Sequence, residues 1–107
     1  MPIGRLTVHE LQARLAAPEP PLVLDVRERW EYERCHLADS LLIPMNEIPA
    51  RLGEIPRTRD VVVLCHHGVR SLQVAHFLAH HGYARILNLA GGIDAWARSV
   101  DTAMTVY

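Results

Sequence analysis

Apolar positions fall along this chain in two kinds of block. Some are short, nearly continuous runs, and others recur every three to four residues between charged positions. Leu22-Val23-Leu24-Asp25-Val26 and Val61-Val62-Val63-Leu64-Cys65 are of the first kind, and unbroken runs of this length predict strands buried on both faces. The second run is rich in β-branched residues and is the stronger signal. Ser40 to Ile43, stopped by Pro44, and Arg85 to Leu89 predict two further strands. Met104 to Tyr107 reads as an edge strand or a frayed end.

Between these runs the period becomes helical. Thr7-Val8-His9-Glu10 has the form of a capping box and opens a helix through about Ala16. Glu28 to Cys35 predicts a short helix, and Asn46 can cap another reaching Leu52, with Pro49 inside it. A helix from about Arg70 to His81 presents Leu72, Ala75, Leu78 and Ala79 as its apolar face and stops at Gly82. A Gly91-Gly92 turn then leads into a last helix through Trp96 and Arg98. Strands alternating with helices predict an α/β domain, its central sheet mostly parallel and covered by helices on both faces.

The chain has 107 residues, half of them apolar, enough for one hydrophobic core and a single domain over residues 1–107. Eleven basic and 12 acidic side chains leave a net charge of −1. Without a basic stripe, nucleic acid and anionic membranes are poor partners. No apolar run is long enough to cross a bilayer and no secretory leader opens the sequence, so a cytoplasmic protein is expected. Cys35 and Cys65 are too few for a disulfide framework. A monomer or weak dimer is expected.

Chemistry concentrates in Cys65-His66-His67-Gly68-Val69-Arg70-Ser71. A buried strand ends in a cysteine, and a short glycine-bearing loop leads into a helix. In parallel sheets, ligands bind beyond the carboxyl ends of the strands. Backbone N–H groups of the loop and first helical turn lack intrahelical partners, and a loop curled around the sulfur would turn them into an anion nest. That setting favours the thiolate and would stabilise an anionic persulfide. Gly68 can take positive φ, Arg70 can hold an oxyanion through its fork of donors, and Ser71 can set its hydroxyl against the sulfur or cap the helix. The loop alone is equally compatible with a cysteine that is merely a small buried hydrophobe.

Its neighbours change that balance. Asp25-Val26-Arg27-Glu28, then Trp30 and Tyr32, then His36-Leu37-Ala38-Asp39-Ser40 with Ile43-Pro44, precede the loop, and Gly91-Gly92-Ile93-Asp94-Ala95-Trp96 follows it. In order and spacing these segments resemble the rhodanese family, from about Arg5 to Trp96. The resemblance implies a three-layer fold around a five-stranded sheet and a two-step sulfur transfer. Cys65 would be the nucleophile and persulfide carrier, and His66, His67, Gly68, Val69 and Arg70 its cradle through their backbone amides. The partners implied are a small-molecule sulfane donor such as thiosulfate and a thiophilic acceptor: cyanide, a thiol or a protein. A sulfur-carrier or non-catalytic regulatory module acting on a protein is the alternative. Cys65 to Arg70 spans six residues, whereas the related phosphatases and arsenate reductases use a loop one residue longer, which argues against phosphate chemistry. Asp39 and Cys35 stand where the family carries glycine; Asp39 should tolerate turn geometry, and Cys35 reads as a bystander.

Other candidates weaken on inspection. His76 and His80 share a helix face, but it is the polar one, and adjacent Cys65, His66 and His67 do not converge naturally on one ion, so neither a metal nor any other cofactor is assigned. His66 and His67 either attract anions when protonated or contribute only their amides. Asp25, Arg27 and His36 read as hydrogen-bonded structural groups, and Trp30, Tyr32 and Trp96 as core or core-edge aromatics.

Overall fold

The structure, a computed structural model, describes residues 3–107. Five parallel strands form one sheet in the order β1-β5-β4-β2-β3. They are β1 (Gly4–Leu6), β2 (Leu22–Asp25), β3 (Leu41–Leu42), β4 (Val61–Leu64) and β5 (Ile86–Leu89). The helices are α1 (Val8–Leu15), α2 (Arg29–Arg34), α3 (Val69–His80) and α4 (Gly92–Ser99), joined by two 3-10 segments, Met45–Glu47 and Pro49–Glu54.

β4 lies at the centre, and all four of its residues are fully buried. Because strand side chains alternate between faces, Val61 and Val63 point to one layer and Val62 and Leu64 to the other. The first layer contains Val74, Ala75 and Leu78 of α3, Ile48 and Ile55. The second contains Leu11 of α1 with Ile93 and Trp96 of α4. Cys65 continues the alternation of Val61 and Val63 and belongs to the α3 layer. Cys35 packs against the opposite layer, which agrees with its reading as a bystander.

The capping box at α1 forms in both directions, Glu10 N–H to Thr7 and Thr7 N–H to Glu10. Three expectations need correction. The fifth strand is not Met104 to Tyr107 but Gly4–Leu6, which pairs with β5 in the register Gly4–Leu87 to Leu6–Leu89. The helix expected from Asn46 to Leu52 is instead the pair of 3-10 segments, because Pro49 has no N–H for an α-helical ladder and Arg51 leaves helical geometry. On α3 the buried stripe is Ser71, Val74, Ala75, Leu78 and Ala79, the i, i+3, i+4, i+7, i+8 set, while Leu72 is exposed. A serine at the head of the stripe disguised its phase. Asp39 adopts φ 63°, the turn geometry expected of it. Among the described residues, no helix is long and apolar enough to cross a membrane.

Candidate active site

Sheet register assembles the site at the carboxyl end of β4. Asp25 pairs with Leu64, so the chain leaving β2 runs beside Cys65. Val63 pairs with Asn88, which brings β5 alongside from the other side. The loop turns through Gly68 at φ 103°, the left-handed geometry expected of it, and Gly68 is the N-cap of α3. The first turn of α4 fixes the start of the loop: Ile93 N–H donates to the Cys65 carbonyl at 2.9 Å and Asp94 N–H to that of His66 at 3.0 Å. Gly92 permits this approach. A Cβ there would sit 2.4 Å from the His66 carbonyl oxygen and 2.5 Å from that of Cys65.

Cys65 is 1% exposed. Its Sγ accepts the Gly68 N–H at 3.1 Å, and its thiol donates to the Ser71 hydroxyl at 3.3 Å. Ser71 in turn donates to Asn88 Oδ1 at 2.6 Å, and Asn88 Nδ2 donates to the Gly68 carbonyl at 3.2 Å. Sulfur, serine and amide therefore form one polar chain that also closes the loop on itself. Of the two roles open to Ser71, the structure realises the contact with sulfur; among the described residues no side-chain cap bond forms at the start of α3. Of the amides expected to cradle Cys65, only that of Gly68 meets the sulfur with hydrogen-bond geometry among the described residues. The side chain of Val69 points into solvent, 67% exposed.

Arg70 departs most from expectation. Its Nη1 and Nη2 donate to the two carboxylate oxygens of Glu31 on α2, at 2.6 and 2.8 Å. Those bonds hold the guanidinium pKa above its ordinary value, against the opposing effect of burial. The fork expected to face an oxyanion is thus occupied by a protein carboxylate. Burial pushes the Glu31 carboxyl up, but Arg70, the Glu28 N–H and the Tyr107 hydroxyl outweigh it and bring the pKa down to about 2. Tyr107 donates to Glu31 Oε2 at 2.8 Å and accepts from Arg27 Nη1 at 3.0 Å. Arg27 completes the network with a buried pair to Asp25 and with bonds to the carbonyls of Glu31 and Cys35. Asp25 and Arg27 are structural, as expected. His36 is likewise held, Nδ1 against the Tyr32 carbonyl at 2.8 Å with its ring stacked on Tyr32.

His66 is sandwiched between Tyr107 and His67, with ring centroids 3.9 and 4.0 Å away. Burial and the neighbouring His67 lower its pKa, which disfavours the cationic form of this ring. The exposed His67 ring approaches Asp94 at 3.9 Å. Donor atoms of His66, His67 and Asp94 all lie within 4.8 Å of one another, a grouping the sequence did not suggest. The two imidazoles are stacked, with planes 30° apart. Asp94 is also held by Arg98 at 3.0 Å. His76 and His80 lie on the exposed face of α3, and Trp30 is exposed rather than core-edge, its ring meeting Tyr107 edge to face.

Sequence reasoning missed Asn88, Glu31 and Tyr107. Asn88 carried a signal, as the one amide in an apolar strand. Tyr107 carried none, because nothing local links it to α2.

Residues 7–99 match the family model described as the rhodanese-like domain. A sulfurtransferase of Allochromatium vinosum is 44% identical over 96 residues, covering 90% of each chain. The thiosulfate sulfurtransferase GlpE of Actinobacillus pleuropneumoniae is 32% identical, covering 83% of this chain and 82% of its own. A putative sulfur carrier protein, YrkF of Bacillus subtilis, is 28% identical over 88% of this chain and 51% of its own. Among solved structures, SSP1007 from Staphylococcus saprophyticus superposes with a TM-score of 0.84 at 28% identity, covering 92% of this chain and 97% of that one. The chain belongs to the rhodanese-like domain family, and its relatives include sulfurtransferases.

Proposed function

We propose that the protein moves a sulfane sulfur from a donor such as thiosulfate to a thiophilic acceptor through a persulfide on Cys65. The observation that carries this reading is the sulfur's setting: Gly68 N–H at 3.1 Å and the Ser71 hydroxyl at 3.3 Å, at the mouth of a parallel sheet. A hydroxyl can donate or accept. It therefore accepts from the thiol and can turn to donate to a thiolate or persulfide.

In the first step the Cys65 thiolate attacks the outer sulfur of thiosulfate. A new S–S bond forms, the donor's S–S bond breaks, and its electron pair leaves with sulfite. In the second step an acceptor such as cyanide or a thiolate attacks the terminal persulfide sulfur and the Cys65 thiolate leaves. The sulfur attached to Cys65 is anionic before and after each step; the Gly68 N–H already points at it, and the Ser71 hydroxyl adds its support by turning from Asn88 toward the sulfur. The loop of six residues from Cys65 to Arg70 suits a single sulfur atom better than a tetrahedral phosphate.

A second reading, in which the persulfide is handed to a protein partner, is favoured by the resemblance to the sulfur carrier protein. Turnover with thiosulfate and cyanide, compared with delivery from a cysteine desulfurase to a protein acceptor, separates the two. In either case C65S is expected to abolish transfer while the protein stays folded. Retained turnover in that variant contradicts the mechanism.

A further inference from the structure

We infer that Glu31 is a specificity-determining residue of this site, which by holding the fork of Arg70 biases it against doubly charged donors and toward singly charged sulfane donors. The inference rests on the sulfur-transfer reading for its consequence, but its physical content is the anion affinity of the mouth.

Both terminal nitrogens of Arg70 are bonded to the Glu31 carboxylate, at 2.6 and 2.8 Å. The other arginine of the network, Arg27, gives Nε and Nη2 to Asp25 and bonds two carbonyls and the Tyr107 hydroxyl with its terminal nitrogens. Two arginines thus face two carboxylates, and the network presents no net charge to an incoming anion. Asp94, beside His67, is matched in the same way by Arg98.

Drawing Arg70 away would be costly. The Glu31 side chain is only 4% exposed and that of Arg70 33%. A dianion that captured Arg70 would therefore leave a buried carboxylate with only neutral donors, Glu28 N–H and the Tyr107 hydroxyl. A donor carrying one charge, such as an organic persulfide anion, depends less on that cation. With it the balance is simple: the Cys65 thiolate attacks the terminal sulfur of R–S–S⁻, and RS⁻ departs.

The test uses two unreactive oxyanions of similar shape, sulfate and methanesulfonate, which differ by one charge and carry no sulfur to transfer. Binding is read as slowed alkylation of Cys65 by iodoacetamide at constant ionic strength. E31Q keeps the shape but removes the countercharge and one of the two acceptors holding the arginine, and should tighten sulfate about tenfold and methanesulfonate about threefold or less. In E31Q/R70M the gain should disappear. E31L serves the same purpose if E31Q does not fold. Unchanged sulfate binding, equal gains for both anions, or a gain that survives R70M overturns the inference, even if Cys65 accepts sulfur. Tightened sulfate binding in a protein whose Cys65 never accepts sulfur supports it and removes the sulfur-transfer reading instead.

Discussion

Tyr107 accepts a hydrogen bond from Nη1 of Arg27, a residue 80 positions earlier, at 3.0 Å. The same hydroxyl donates to Glu31, and the ring lies flat on His66, with planes 5° apart. One side chain thereby ties the loop after β2, helix α2 and the loop after β4 into a single wall. It is the residue through which the segment after α4 reaches the site.

Burial, reinforced by Glu31 and opposed by Arg27, pushes the Tyr107 phenol up to about 12 from 10.0. Its native pKa exceeds its unfolded one, so the stability it adds is complete below pH 10 and declines as pH rises toward 12. Phenolate absorbance should include a late-titrating component from Tyr107 that is lost in Y107F. The variant should also be less stable by about 1–2 kcal/mol, because Arg27 and Glu31 each lose a partner. Identical titration curves for wild type and Y107F contradict the placement.

Glu31 gives the opposite sign. Its carboxyl falls from 4.5 to about 2 on folding, so its contribution is complete above pH 4.5 and is lost as pH falls toward 2. The shift corresponds to roughly 3 kcal/mol. Denaturant melts between pH 6 and 2.5 should show wild type losing stability faster than E31Q. Parallel curves would show that the Arg70 pair does not contribute in this way.

Ser71→Ala removes the hydroxyl between Cys65 and Asn88. Sulfur transfer should fall about tenfold in kcat/KM, the effect of losing one hydrogen bond of about 1.4 kcal/mol to a charged sulfur. Far-UV circular dichroism should be unchanged. Full activity would show that the 3.3 Å contact plays no part in turnover.

Gly92→Ala places a methyl group against two carbonyl oxygens of the Cys65 loop, at a position with φ 61°. The variant should lose about 3 kcal/mol or more and most of its activity, measured by thermal melting and turnover. Gly53→Ala, where nothing lies within 4 Å of the new Cβ, is the control and should change neither.

Much of this architecture was legible because the signals were local. The unbroken apolar run of β4, the capping box at Thr7 and Glu10, and the left-handed Gly68 each follow from a few neighbouring residues. β1 was missed because Gly4-Arg5-Leu6 is short, half-polar and lies at an edge, so periodicity has nothing to register. Cys65 was readable as the end of a strand, and Ser71 as a hydroxyl in the first turn of the helix that follows the loop. Pairing between distant segments was not readable. That Arg70 would meet Glu31 depends on how α2 settles against α3, and that Asn88 would reach Ser71 depends on the β4–β5 register. The fork of Arg70 looked free in the sequence only because its carboxylate partner lies 39 residues away.

The central claim is that Cys65 carries sulfur. Intact mass spectrometry after incubation with thiosulfate or an aryl thiosulfonate, before and after cyanide, tests it most directly. The expected result is a gain of one sulfur atom that maps to Cys65, is removed by cyanide and is absent in C65S. No gain from either donor, or a gain that persists in C65S, would contradict it.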